Sequence, residues 1–241
     1  MRKLSANLIL PVSSSPLKNG IITLDGNGRI LDLVDTGGNL REEPGLEFYK
    51  GVIVPGFVIP WFDPGDTPLE MLDKQLSRYG IKGIGLVLAV DRVTDGGLKF
   101  MSASPAIYHP VIELCPGPDQ DHFEAFNRGI DLVTHAFNQF NLHCSLTACS
   151  PAMKGDMGKL LSEYTATHQN VSAPSQGKST VSLNALHRMQ HPRKGIEELI
   201  PAFTLDAAAG IFEEDELGSI EPGKRPGLNL IVENTVLKVL D

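Results

Sequence analysis

Short apolar segments of β-rich composition occupy the first sixty residues of the chain. Ala6–Leu10, Gly20–Leu24 and Arg29–Val34 combine aliphatic residues with few charges, which predicts three strands. The sequence Asp25-Gly-Asn-Gly28 lies between the last two and is typical of a hairpin turn. A further run, Gly51–Val58, contains Pro-Gly at its fifth and sixth positions, which indicates a buried strand followed by a sharp turn.

The middle of the chain changes to a helical period. In Pro68–Tyr79 apolar residues recur every three or four positions on one face (Leu69, Leu72, Leu76 and Tyr79), and Gly80 marks the end of the predicted helix. The apolar run Ile84–Val90 predicts the next strand. A further strand is expected at Ala106–Leu114, interrupted at Pro110.

The rest of the chain alternates between the two patterns. The predicted elements are a helix at Phe123–Arg128, an extended segment at Ile130–Thr134, helices at Met153–His168 and Leu183–Gln190, one or two helices within Ile196–Ala209, turns at Leu217–Gly227 and a strand at Leu228–Glu233. Alternating strands and helices predict parallel β/α units, and therefore an α/β protein.

Composition and charge narrow the classes of function. The chain has 241 residues, and its formal net charge of -8 argues against nucleic-acid or anionic-membrane partners. The basic residues of His187–Lys194 form too short a cluster to change that balance, and no apolar run approaches the roughly 20 residues that cross a bilayer. Three cysteines make an odd count, which argues against a disulfide framework and favours a cytoplasmic setting.

Three segments carry a resemblance to a known family. Gly51–Val58, with the residues that follow it, resembles the segment that enters the first barrel strand of the amidohydrolase superfamily, which comprises metal-dependent hydrolases of C–N bonds such as imidazolonepropionase and deaminases. Leu17–Leu31 is similar to the opening strands of that superfamily. Ala202–Phe212 with Leu217–Ile231 resembles its last helix and returning strand.

The resemblance implies a composite fold. Residues 1–53 and 216–241 would form a β-sandwich from both chain ends, and residues 54–215 a truncated amidohydrolase-like β/α domain. A complete (β/α)8 barrel needs about 250 residues, so the β/α layer would be a reduced, incomplete remnant of a TIM barrel. Missing barrel strands leave open edges, which leads us to expect a homo-oligomer.

The metal-binding motifs of the superfamily are altered here. Trp61 and Asp63 occupy the positions of its His-x-His pair, and residues 172–180 contain no Asp where the family has a ligand. Because indole cannot bind a catalytic metal, the resemblance implies an impaired enzyme that needs no cofactor. The expected role is then small-molecule binding or protein interaction, including a regulatory-subunit role.

An alternative is a working metal-dependent hydrolase or deaminase. Val133–Asn138 resembles a Thr-His-x-Phe/Tyr-Asn strand end whose histidine binds metal, so zinc would be held by His135, His109, His143 and Asp63. The competing interpretations are that His135 is a hydrogen-bonded loop residue and that Asp63 belongs to a turn. No catalytic residue is assigned under either reading.

Three other sequence patterns are weaker indications of function. Four aromatic residues could line a strand-end pocket or fill the core: Trp61, Phe62, Tyr108 and Phe137. Gly177-Lys-Ser-Thr180 is not a phosphate loop, because Ser172 stands where that motif needs glycine. His143 and Cys144, with Cys149 nearby, resemble a base and thiol nucleophile, but no third residue that would orient them is evident.

Overall fold

The computed structural model describes residues 1–116, 121–149, 196–232 and 236–240, and within these it is a mixed α/β protein. Its strands are β1 (Arg2–Ile9), β2 (Leu17–Lys18), β3 (Ile21–Leu24), β4 (Ile30–Val34), β5 (Leu46–Pro55), β6 (Phe57–Phe62), β7 (Ile81–Ala89), β8 (Ile107–Leu114), β9 (Ser145–Ala148), β10 (Leu228–Val232) and β11 (Val236–Val239). Its helices are α1 (Leu69–Arg78), α2 (Asp95–Ala103), α3 (His122–Phe140), α4 (Ile196–Phe203) and α5 (Leu205–Ala209). The helices predicted at 153–168 and 183–190, and the segment 172–180, lie outside the described residues.

The chain divides into two compact units. The first contains Met1–Pro60, Glu70–Ile84 and the described residues after 195. The second contains Trp61–Leu69 and the described residues from Gly85 to 149. No helix in the described part of the chain is both long enough and apolar enough to cross a membrane.

A seven-stranded sheet organises the first unit. Its order is β11-β10-β5-β1-β3-β4, with β2 paired to β1. β5 runs parallel to β1 and antiparallel to β10, where Leu230 pairs with Ile53. Leu4, Ile22 and Ile53 are fully buried in its core. Strands from both ends of the chain therefore share one sheet.

The turns after α5 join the two chain ends. The Arg29 guanidinium lies 3.2 Å from the Glu216 carboxylate and also donates to the Gly223 carbonyl. The Ile220 amide donates to the Pro11 carbonyl at 2.9 Å. The predicted turns at 217–227 are thus confirmed, and hydrogen bonds and an ion pair hold them against the start of the chain.

The sharp turn predicted at Pro55-Gly56 is confirmed, because β5 ends at Pro55 and β6 begins at Phe57. The Gly56 amide donates to the carbonyls of Pro226 and Gly227, at 3.2 and 3.0 Å. A Cβ on Gly56 would overlap the Lys82 side chain and the Pro226 carbonyl. The close approach of these backbones explains why glycine stands at the turn.

A second sheet has the order β6-β7-β8-β9 and forms a curled parallel half-barrel. β9 runs parallel to β8, with Val111 opposite Ser145 and Leu114 opposite Ala148. In the second unit a buried cluster contains Ile112, Leu114, Phe126, Ile130 and Ala148. The helix α3, which connects β8 to β9, covers that part of the sheet with its apolar face.

Two predicted elements are confirmed but differ from the prediction at particular residues, and one helix was not predicted. α1 ends just before Gly80, which has a φ of +66°, but Tyr79 is 55% exposed and does not belong to the buried face. Pro110 does not interrupt β8, since proline removes a single ladder hydrogen bond and the neighbouring positions are buried. The helix α2 was not predicted, because glycines occupy its second and third positions.

The extended segment predicted at Ile130–Thr134 is wrong, because one helix runs from His122 to Phe140. Its β-branched residues favour a strand locally, but Phe126 and Ile130 are spaced by one helical turn and are both buried. The Asp121 carboxylate caps the helix by accepting from the Phe123 amide at 3.0 Å, and Asn141 ends it with a φ of 53°. Burial of one face and two caps therefore outweigh local β propensity.

Candidate functional site

Trp61 and Asp63, which the resemblance matched to the His-x-His pair, lie at and beyond the end of β6. Trp61 is 38% exposed and Phe62 is partly buried. The Asp63 carboxylate accepts a hydrogen bond from the Gly65 amide at 2.8 Å, which is the geometry of an Asx turn. Asp63 thus acts as the turn residue that the Asp-Pro-Gly sequence indicates.

His135 lies in the interior of α3 and does not follow a strand. Its Nε2 atom lies 2.9 Å from the Asp95 carboxylate at the start of α2. The imidazole also packs edge-on against Phe140, with ring centroids 5.8 Å apart. The strand-end position expected for His135 is therefore wrong, because the residues around it continue the helix.

His109 and His143 are brought close together. His109 is buried in β8, and its Nε2 atom lies 2.7 Å from the Ser145 hydroxyl of β9. Burial, with a smaller contribution from charge repulsion by His143, lowers the pKa of His109 to about 4. His143 packs on the exposed ring of Phe137, with centroids 5.3 Å apart. At neutral pH the His109 ring is therefore neutral.

The residues that the structure describes do not by themselves fit the metal centre that the fold implies. A catalytic zinc needs three or more converging nitrogen or oxygen ligands. Within the described ranges, no group of three or more His, Cys, Asp or Glu side chains is arranged to hold a metal ion. Of the seven histidines, His168, His187 and His191 lie outside those ranges. The four predicted ligands are instead engaged separately, and only His109 and His143 approach each other.

The four aromatic residues expected either to line a pocket or to fill the core have different surroundings. Tyr108 is 3% exposed and contacts Phe100 edge-on at 6.5 Å, as a core residue. Trp61 and Phe137 are exposed, at 38% and 48%. Neither these three residues nor Phe62 lines either of the two cavities described below.

The smaller of these cavities, here the Arg92 cavity, has a volume of about 200 Å³. It lies beyond the ends of β6 and β7 and is lined by Pro64, Gly65, Asp66, Thr67, Leu69, Leu88, Arg92, Val93, Thr94, Gly97 and Met101. The Arg92 guanidinium donates to the Gly65 carbonyl at 2.7 Å and lies 3.1 Å from the Asp66 carboxylate. Its charge is thus already paired within the protein.

The larger cavity, here the Arg128 cavity, has a volume of about 300 Å³. Its walls are the carboxyl ends of β7 and β8 and the first two turns of α3. It is lined by Ala89, Val90, Asp91, Glu113, Leu114, Cys115, Pro116, Asp121, Glu124, Ala125 and Arg128. Four carboxylates against one guanidinium make its charge negative, so it favours a ligand with a positive group.

Sequence reasoning missed this cavity and the thiol pair beside it. Burial and the neighbouring Cys149 thiol and Glu113 carboxylate raise the pKa of the Cys115 thiol. A usable signal was present, since Asp91 and Cys115 directly follow apolar strands. Residues in that position line the ligand sites of parallel β/α folds.

Comparisons with known proteins identify the fold. No family model and no curated protein sequence matches the chain. Among solved structures, E. coli guanine deaminase is 11% identical with a TM-score of 0.54, covering 98% of this chain and 89% of that one. A dihydroorotase is 12% identical with a TM-score of 0.53, covering 98% of this chain and 94% of its own. N-acetylglucosamine-6-phosphate deacetylase from Pasteurella multocida is 10% identical with a TM-score of 0.50, covering 98% and 96%.

These likenesses agree with the sequence resemblance, which rests on both chain ends and the segment around Pro55. At such low identities they establish a shared fold. The structural neighbours of this chain are amidohydrolase-superfamily members, and the chain has the amidohydrolase-superfamily fold.

Proposed function

We propose that this protein uses the amidohydrolase fold to bind a small molecule and does not perform the metal-dependent hydrolysis implied by the family resemblance. The observation that carries the proposal is the position of the Arg128 cavity at the carboxyl ends of β7 and β8. Parallel β/α folds bind ligands at this end of their strands, because the loops there diverge and leave a cavity.

Volume and charge define the class of ligand. At about 300 Å³ the cavity is at the small end of the range for ligand sites, which favours a metabolite-sized molecule. The carboxylates of Asp91, Glu113 and Glu124 favour an amino group on the ligand, and the Arg128 guanidinium can pair with an acidic or carbonyl oxygen. A small amine is therefore the expected ligand.

The loss of hydrolysis is supported by the residues that replace the ligands. The Trp61 indole has no atom that binds a catalytic metal, and the Asp63 carboxylate holds its own turn. His135 pairs with Asp95 on neighbouring helices. A water molecule can be acidified by a metal only where several such donors converge, so these separate pairings favour a binding role.

The proposal is tested by titrating the protein with 1,4-diaminobutane and, separately, with succinate, which has the same carbon chain but carries carboxylates. Isothermal titration calorimetry should show saturable binding of the diamine and none of succinate. Asp91→Asn and Glu124→Gln should each weaken diamine binding about tenfold, since each removes one charged partner. Asp131→Asn, on the exposed side of α3, is the matched control and should bind like wild type. Equal binding of both compounds, or of all variants, would contradict the proposal.

The second candidate function is a metal-dependent hydrolase or deaminase with a reorganised centre. The observation in its favour is the approach of His143 to His109, which places two imidazoles near one another. It is tested by metal analysis of protein purified without chelator. Stoichiometric zinc that disappears in His135→Ala, together with zinc-dependent turnover of an amidine or amide, would establish this function in place of the first.

The finer architecture belongs to the same proposal. We interpret residues 1–53 and 216–241 as a composite β-sandwich and the half-barrel as the remnant of a larger barrel. Within the described residues β6 and β9 are the edge strands of that half-barrel, and such edges favour a homo-oligomer. Light scattering across a range of protein concentrations tests this, and a monomer at all of them would exclude it.

A further inference from the structure

Cys115 and Cys149 occupy equivalent positions on neighbouring parallel strands. Cys115 directly follows β8, and Cys149 directly follows β9. The register places Leu114 opposite Ala148, so the next pair in the ladder is Cys115 and Cys149. The Cys149 amide continues the ladder by donating to the Leu114 carbonyl at 3.2 Å.

This placement meets the requirements of a disulfide. Paired strands lie about 4.8 Å apart, which is within the Cα separation that a disulfide spans. Side chains at registered positions of parallel strands leave the sheet on the same face, so the two thiols project together. Both cysteines are exposed to solvent, so a small disulfide can reach them.

We propose that Cys115 and Cys149 form a reversible redox pair, which a low-molecular-weight disulfide such as oxidised glutathione converts to an intramolecular disulfide. This goes beyond ligand binding and does not rest on it. The structure shows the reduced form, in which all three cysteines are free.

The reaction proceeds by two thiol–disulfide exchanges. The Cys149 thiolate attacks one sulfur of the small disulfide, forms a mixed disulfide and releases one small thiol. The Cys115 sulfur then attacks the Cys149 sulfur, its proton passing to the Glu113 carboxylate or to water, and the second small thiol leaves. Two protein thiols are oxidised by two electrons, and the small disulfide is reduced to two thiols.

The order of attack follows from the surroundings of each sulfur. Burial and the neighbouring Cys149 and Glu113 raise the pKa of Cys115, so it holds its proton more firmly. Cys115 therefore acts second, as the resolving thiol. Its position in the wall of the Arg128 cavity means that the disulfide would change that wall and tie the ends of β8 and β9 together.

The third cysteine provides an internal control. Cys144 is partly buried, and its thiol donates to the Leu142 carbonyl at 3.7 Å. Burial raises the pKa of Cys144 to about 12, which keeps it as an unreactive thiol near neutral pH. Cys144→Ser should therefore leave the redox behaviour unchanged.

The test is to equilibrate the full chain in buffers of fixed reduced-to-oxidised glutathione ratio, quench with acid, alkylate the free thiols and map the peptides by mass spectrometry. Wild type and Cys144→Ser should form the Cys115–Cys149 disulfide reversibly, with one alkylated cysteine remaining in wild type. Cys115→Ser should stop at a mixed disulfide on Cys149. In urea the selectivity should be lost and pairs with Cys144 should appear.

Two results would overturn the proposal. One is the accumulation of glutathione adducts on wild type with no internal disulfide at any ratio. The other is a disulfide that involves Cys144 in the folded protein, or one that forms only after urea is added. Circular dichroism of each serine variant checks that the fold is retained, so a negative result cannot be ascribed to unfolding.

Discussion

The contact between Gly80 and Asn229 allows a quantitative test of how the first unit is held together. The fully buried Asn229 donates from Nδ2 to the Gly80 carbonyl at 2.9 Å, and the Phe57 amide donates to the same carbonyl at 2.9 Å. Gly80 has a φ of +66°. A Cβ there would lie 2.5 Å from the Asn229 Cγ and closer still to its Oδ1, so Gly80→Ala must expel the amide.

The expected cost has two separable parts. An alanine in the left-handed region costs about 1–2 kcal/mol. Displacing a buried amide from its partner costs about 1–3 kcal/mol more, because the donor is left without a hydrogen bond. Gly80→Ala should therefore lower the free energy of unfolding by about 2–5 kcal/mol. Gly45→Ala is the matched control, because Gly45 has a φ of +74° with nothing within 4 Å of the added Cβ, and it should cost only the first part.

A double-mutant cycle isolates the clash. Asn229→Ala should cost about 1–2 kcal/mol, since the Gly80 carbonyl keeps its bond from Phe57. In that background Gly80→Ala should cost only about 1–2 kcal/mol, as the overlapping amide is gone. Urea unfolding followed by circular dichroism measures all four proteins, because the single tryptophan, Trp61, lies in the other unit. Additive single-mutant costs, within about 0.5 kcal/mol, would refute the predicted overlap.

Three further predictions concern the buried groups of both units. Burial lowers the pKa of His109 to about 4, so below pH 6.5 the unfolded chain takes up a proton that the folded chain does not. The free energy of unfolding should therefore fall by about 3 kcal/mol as pH drops from 6.5 to 4. Urea unfolding followed by Trp61 fluorescence measures this change, and the pH dependence should be smaller in His109→Gln. Phe126 is 1% exposed, so Phe126→Ala should lower the free energy of unfolding by about 3–5 kcal/mol. Phe137 on the same helix is 48% exposed, so Phe137→Ala should lower it by under about 1 kcal/mol in the same assay. Gly56→Ala should cost more than Gly45→Ala, since its Cβ would meet the Pro226 carbonyl, and equal urea midpoints for the two would contradict that contact.

Much of the first unit could be predicted from sequence because its signals are local. The turn at Pro55-Gly56, the helix ending at Gly80 and the turns of 217–227 depend on residues whose backbone preferences act at their own positions. The resemblance to amidohydrolases rests on the same segments, and it led to the fold that the structural neighbours share.

The candidate site was harder to predict because it depends on distant pairings. The residues around His135 resemble a strand end, yet burial of Phe126 and Ile130 against the sheet makes the segment helical. Once helical, His135 pairs with Asp95, while the Asp63 carboxylate accepts from the Gly65 amide of its own turn. Sequence spacing alone cannot show which donors converge, because convergence is set by how the strands and helices pack.

The chain by itself therefore determined its turns, most of its strands and the α/β class, since each of these follows from residue type and local order. Only the tertiary structure decided that Cys115 meets Cys149 and that carboxylates from a strand and a helix share one cavity. The physical reason is the register between β8 and β9: it brings together residues 34 positions apart, and no local preference encodes such a pairing.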